Sequence, residues 1–68
     1  MGEISREKFP QLNKLLWDYH RSKVPAEYAF HIYEERWRFI DSNDMENEEI
    51  ELLNDLTNCF GNGLFMAA

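Results

Sequence analysis

The run AEYAFHIYEERWRFI at residues 26–40 decides the fold class. It holds no Gly or Pro, and Pro25 stands directly before it, at ease in a first helical position where its missing N–H costs nothing. Glu34 lies four residues ahead of Arg38, the favoured orientation for a helical ion pair. The spacing predicts a helix over 25–41, the longest rod in the chain. Projected at about 100° per residue, Ala26, Ala29, Phe30, Tyr33, Trp37 and Ile40 gather on one side, while Tyr28, Ile32 and Phe39 gather nearly opposite. His31, Glu34 and Arg38 fill one seam between them, and Glu35 edges the other. A helix in a small bundle normally carries one apolar stripe toward its neighbours; this one carries two.

The same punctuation places two more helices. Pro10 opens one over 10–21, with Leu12, Leu15, Leu16 and Tyr19 recurring at i, i+3, i+4 and i+7. Pro25 forces Val24 into an extended conformation, so residues 22–24 read as a tight corner between antiparallel helices. After the polar stretch 41–44 comes a third helix over 46–60. Met45 and Ile50 are spaced as a hydrophobic staple, Glu46 and Glu49 stand at capping-box positions with Asn47 as the alternative cap, and Gly61 is the expected left-handed terminator. The β-branched residues Ile4, Val24, Ile32, Ile40, Ile50 and Thr57 are scattered singly, and no stretch alternates with period two. The expectation is an all-α fold: a small three-helix bundle over 10–21, 25–41 and 46–60, one domain spanning 1–68, with Ile4 and Phe9 beneath it and an apolar tail from 64.

Sixty-eight residues and 8.2 kDa exclude a multi-domain enzyme. The single Cys59 has no partner for an internal disulfide, no secretory leader is evident, and no apolar run approaches the roughly 20 residues that span a bilayer. A reducing cytoplasm of bacterial type is the expected setting, with no membrane role. The net charge of −6 is unevenly placed. Residues 1–40 carry seven bases against six acids; residues 41–68 carry seven acids (Asp41, Asp44, Glu46, Glu48, Glu49, Glu51, Asp55) and no Lys, Arg or His. Such a segment repels phosphates and attracts basic surfaces, although acids in a first helical turn also complement the helix dipole as an ordinary solvated face.

Catalytic chemistry finds little to work with. Cys59 near the end of an acidic helix has a raised, not lowered, tendency to stay a thiol, which opposes a nucleophile pair with His20 or His31. The two histidines are eleven residues apart with no zinc-type spacing, and Asp41, Asn43 and Asp44 lack the glycine and terminal acid of a calcium loop. No catalytic residues, metal, cofactor or small-molecule substrate are expected. Arg36-Trp37-Arg38 and the cluster Lys14, His20, Arg21 and Lys23 raise direct nucleic-acid binding, which a pI near 4.7 opposes.

The second apolar stripe therefore carries the functional reading. Leu64, Phe65 and Met66 could fold back over it, or a partner could, since aromatic residues are enriched in interface cores. Small all-α domains often gain stability by oligomerising. The expected role is a non-catalytic protein–protein interaction or regulatory module, self-associating as a homodimer through Tyr28, Ile32 and Phe39, with Trp17 contributing from off the main face of its helix. The alternative is an acidic inhibitor of phage or plasmid type that imitates nucleic acid through Asp44, Glu46, Glu48, Glu49, Glu51 and Asp55 and blocks a DNA- or RNA-binding protein. Separately, the ending Phe65, Met66, Ala67, Ala68 is similar to the hydrophobic-Ala-Ala end of the bacterial rescue tag that unfoldase proteases recognise. That resemblance covers three or four residues and implies a degradation signal; an ordinary apolar tail is the other reading.

Overall fold

In the computed structural model, which describes residues 2–65, the chain is a mixed α/β domain and not an all-α bundle. Strand β1 (Glu3–Ser5) pairs antiparallel with β2 (Lys23–Pro25), Ile4 opposite Val24. The ladder continues through Arg6 N–H to the Ser22 carbonyl (3.1 Å) and Ala26 N–H to the Gly2 carbonyl (3.1 Å). These bonds fall on alternate pairs, so Pro25, opposite Glu3, occupies a position whose N–H would point away from the partner strand. Ile4 and Val24 both face the core, while Glu3, Lys23 and Pro25 face water. The ribbon escapes the period-two test because each strand is three residues long and contributes a single inward side chain.

Three helices follow the expected order with changed bounds. Helix α1 (Pro10–Leu15) stops six residues short of its expected end. Its last carbonyls and those of the following loop are bonded by arginine side chains, so a further helical turn is not needed to satisfy them. Helix α2 (Ala26–Arg36) ends before Trp37, and Trp37–Phe39 winds on as a 3-10 turn. Pro25 is its extended N-cap residue, at φ −56° and ψ 138°. Residues 22–24 are consequently loop and strand rather than a helix–helix corner. After a 3-10 turn at Ser42–Asp44, α3 spans Asn47–Phe60 with Glu46 as N-cap.

The end of α3 uses its glycine differently from the expectation. Gly61 has φ −110°, and positive φ falls instead at Asn62 (53°) and Gly63 (83°). Close approach explains Gly61: a Cβ there would sit 2.3 Å from the Leu64 carbonyl oxygen and 2.8 Å from Phe30 Cζ.

Helix α2 is the middle layer, and that is why it is apolar on two sides. Toward α3 it presents Phe30, whose ring meets Phe60 (6.2 Å between centroids) and Phe65 (6.1 Å), and Phe65 also meets Trp37 at 4.9 Å. Toward α1 and residues 16–22 it presents Tyr28, stacked by Tyr19 at 5.4 Å, and Arg36, stacked by Trp17. Ile32, midway between those two on the same helical face, is 2% exposed. The middle of the second stripe is thus covered on the side of the loop after α1, while Tyr28 and Phe39 stay partly exposed. Phe65 packs on Phe30 and Trp37, the side of α2 opposite the second stripe, so the tail does not supply that stripe's cover through Phe65; Leu64 is exposed, and Met66, Ala67 and Ala68, with the reading of the chain's ending, lie outside the described residues.

Candidate functional site

Two arginines shape the loop at residues 16–22, which has no repetitive structure to satisfy its own backbone. Arg6, just past β1, sends Nη2 to the carbonyls of Leu16 (2.9 Å) and Asn13 (3.3 Å), Nη1 to those of Tyr19 and Arg21, and Nε to Asn13 Oδ1 (2.7 Å). Arg36, at the end of α2, donates from Nη1 to the Leu15 carbonyl (2.8 Å) and makes a two-pronged pair with Asp18 at 2.9 and 2.8 Å. The Arg36 hydrogen bonds hold the Asp18 carboxyl below the ordinary carboxylate range, and Asp18 raises Arg36 in return.

That pinned guanidinium is the floor for Trp17, whose ring centroid lies 4.1 Å from Arg36 Cζ. Phe39 meets Trp17 edge to face, 5.5 Å between centroids and 88° between planes, and Arg38 lies over Phe39 at 5.1 Å. Tyr28, two helical turns before Arg36 on α2, packs against Tyr19 of the loop. Trp17 remains 57% exposed, Phe39 47% and Tyr28 38%. Three of the four expected contact residues therefore share one edge of the molecule: Trp17 from the loop, Tyr28 from α2, Phe39 from the 3-10 turn. The fourth, Ile32, is buried beneath them and has no surface to offer a partner. The pairing of Arg36 with Asp18, which fixes the edge, is not legible in the sequence, because the two are eighteen residues apart and nothing local links them.

The acidic surface also loses a member. Glu49 is 1% exposed; its Oε1 accepts from the Gln11 N–H (3.1 Å) and its Oε2 from the Leu12 N–H (2.8 Å) and the Tyr33 hydroxyl (2.5 Å). It caps the start of α1 from across the core instead of closing a capping box on its own helix, a role that relieves orphan N–H groups behind Pro10. Asp44, Glu46, Glu48, Glu51 and Asp55 stay exposed, and no ion pair joins any of them to a cation among the described residues.

His20 and Cys59 are exposed, and His31 lies 3.9 Å from Glu27 on the water side of α2. Among the described residues no group of three or more His, Cys, Asp and Glu is arranged to hold a metal ion, and no helix is long and apolar enough to cross a membrane. A cleft of about 440 Å³ beside the ribbon is lined by Glu3, Arg21, Ser22 and Lys23, residues of both charge signs. No family model, no curated protein and no solved structure matches the chain.

Proposed function

We propose that the chain is a non-catalytic protein-interaction module of the cytoplasm that engages its partner through Trp17, Phe39 and Tyr28. One observation carries this reading. A large aromatic ring stands more than half exposed, yet rests on a guanidinium that three hydrogen bonds hold in place. An exposed Trp already fixed in one orientation loses little entropy when a partner covers it, and Trp, Tyr and Arg are the residues that dominate interface energies. Affinity capture with the wild type, Trp17→Ala and Phe39→Ala as parallel baits tests it. Proteins held by the wild type and lost by both variants are expected; identical recoveries from all three would falsify the proposal.

A second reading rests on the exposed acids. Asp44, Glu46, Glu48, Glu51 and Asp55 could imitate a phosphate backbone and occupy a basic nucleic-acid-binding site, without Glu49, which the core holds. Under that reading capture falls steeply as salt is raised and ignores Trp17→Ala, because exposed charges are screened within a few Å at about 1 M salt.

A further inference from the structure

We propose that the Trp17–Phe39 edge receives an extended, proline-rich peptide segment in the polyproline II conformation. This names the occupant of the docking edge and rests on that edge being one.

Area decides against a second copy of the chain. Aromatic side chains offer 150–250 Å² each, so three of them at the observed exposures present roughly 300 Å². A stable interface between folded partners buries about 800 Å² a side. A homodimer would draw most of its contact from outside the aromatic edge and would bring together two chains of net charge −6. A footprint this small yields useful affinity only for a ligand that has little freedom to lose. Polyproline II is such a ligand, ordered before binding and recognised elsewhere by exposed aromatic rings.

The polar tips agree with that occupant. Two tyrosine hydroxyls are engaged inside the molecule, Tyr19 with the Lys23 carbonyl (2.8 Å) and Tyr33 with Glu49. The Trp17 indole N–H and the Tyr28 hydroxyl make no hydrogen bond within the chain among the described residues. Both are donors on the docking edge, and a polyproline II backbone offers carbonyls that no internal hydrogen bond consumes. The dimensions match as well. Tyr28 and Phe39 are separated by eight residues of α2 and three of the 3-10 turn, about 18 Å at those rises, which about six residues of polyproline II span. Arg36 and Asp18 neutralise each other beneath Trp17, so recognition is by ring faces and hydrogen bonds with weak dependence on salt.

The test is a titration of the ¹⁵N-labelled full chain with a ten-residue oligoproline, and with a ten-residue Gly-Ser peptide as control. Saturable shifts are expected at the Trp17 indole N–H and at the amides of Trp17, Tyr28 and Phe39. Affinity should fall at least tenfold in Trp17→Ala and in Phe39→Ala, and severalfold in Tyr28→Phe, which removes one donor and leaves the ring packing. Should Trp17→Ala unfold, the other two variants carry the comparison. No shift at about 1 mM oligoproline, an equal response to the Gly-Ser control, or shifts centred on Phe60 and Leu64 each overturn the proposal. A dimer in sedimentation that Trp17→Ala dissolves also overturns it, with the docking edge kept and its occupant replaced. If capture depends on Trp17 while oligoproline fails, only the occupant is wrong; if capture ignores Trp17 too, the docking edge itself falls.

Discussion

The two sides of α2 are covered by different physics. On one side α3, which satisfies its own backbone as a helix, lays Leu52 and Leu56 onto the core and adds one polar tie, the Glu49 carboxylate on the start of α1. On the other side residues 16–22 have no ladder of their own, and two arginines collect the carbonyls of Asn13, Leu15, Leu16, Tyr19 and Arg21. A regular element can dock by grease alone, whereas an irregular one must be held by its backbone, and long cationic forks are suited to that because each reaches several acceptors. The exposed aromatic edge proposed for docking lies on the irregular side, where rings can be raised above the surface and still be fixed.

Five variants break or sharpen this contrast. Leu56→Ala should cost about 3 kcal/mol in denaturant unfolding, the usual scale for emptying a fully buried leucine site. A cost under about 1 kcal/mol would mean that α3 is not held by apolar contact. Arg6→Met keeps the aliphatic stem and removes the donors, and should cost about 2 kcal/mol. Its signature is local: amide exchange quickens at residues 16–22 before it does in α3, and uniform quickening would erase the distinction between the two sides. Glu49→Gln, which turns an amide group toward a donor in place of one carboxylate oxygen, should cost about 1.5 kcal/mol and loosen the start of α1.

Tyr33→Phe should cost about 1 kcal/mol at neutral pH and alter the alkaline limb of stability. Burial first, and then the hydrogen bond to Glu49 and its charge, raise the Tyr33 phenol well above its ordinary range. The unfolded chain therefore releases that proton first. The contribution is fully present below about pH 10, the ordinary tyrosine value, and declines as pH rises beyond it. The Phe variant should lack that part of the decline, and identical alkaline curves would show that the phenol is not sealed. The smallest effect is expected for Asp18→Asn, an exposed partner whose pair with Arg36 is screened by solvent. Its carboxyl sits below the ordinary range, so its contribution is present above about pH 3.9 and lost as pH falls through the lowered folded value. Trp17 fluorescence should change with it, because the floor under the indole is freed; an unchanged spectrum would show that Arg36 needs no second anchor.

Much of the helical order was legible in the chain. Pro10 and Pro25 mark the starts of two segments, Val24 is extended before Pro25 as the steric rule requires, and α3 begins within a residue of its expected start and ends where expected. The ribbon was not legible, because Ile4 and Val24 are twenty residues apart and each strand is too short to alternate. The early end of α1 was equally hidden: Leu16 and Tyr19 continue a helical period, and only Arg6, arriving from the lead-in segment, supplies the loop with other partners. For the exposed aromatic edge, Trp17, Tyr28 and Phe39 could be named from their positions off the main faces. Ile32 could not be removed from that set, since the segment that buries it reads as helix.

The sequence by itself determined that α2 is apolar on two opposed sides and that the acids gather in the second half, because side-chain identity and helical period are local properties. Which segment roofs each side, which acid is drawn inside and which aromatic rings stay in water were decided only by the tertiary structure. The reason is that orphan backbone groups must find partners wherever the packed chain places them. Arg6, Arg36 and Glu49 meet those needs across distances in sequence that no local pattern encodes.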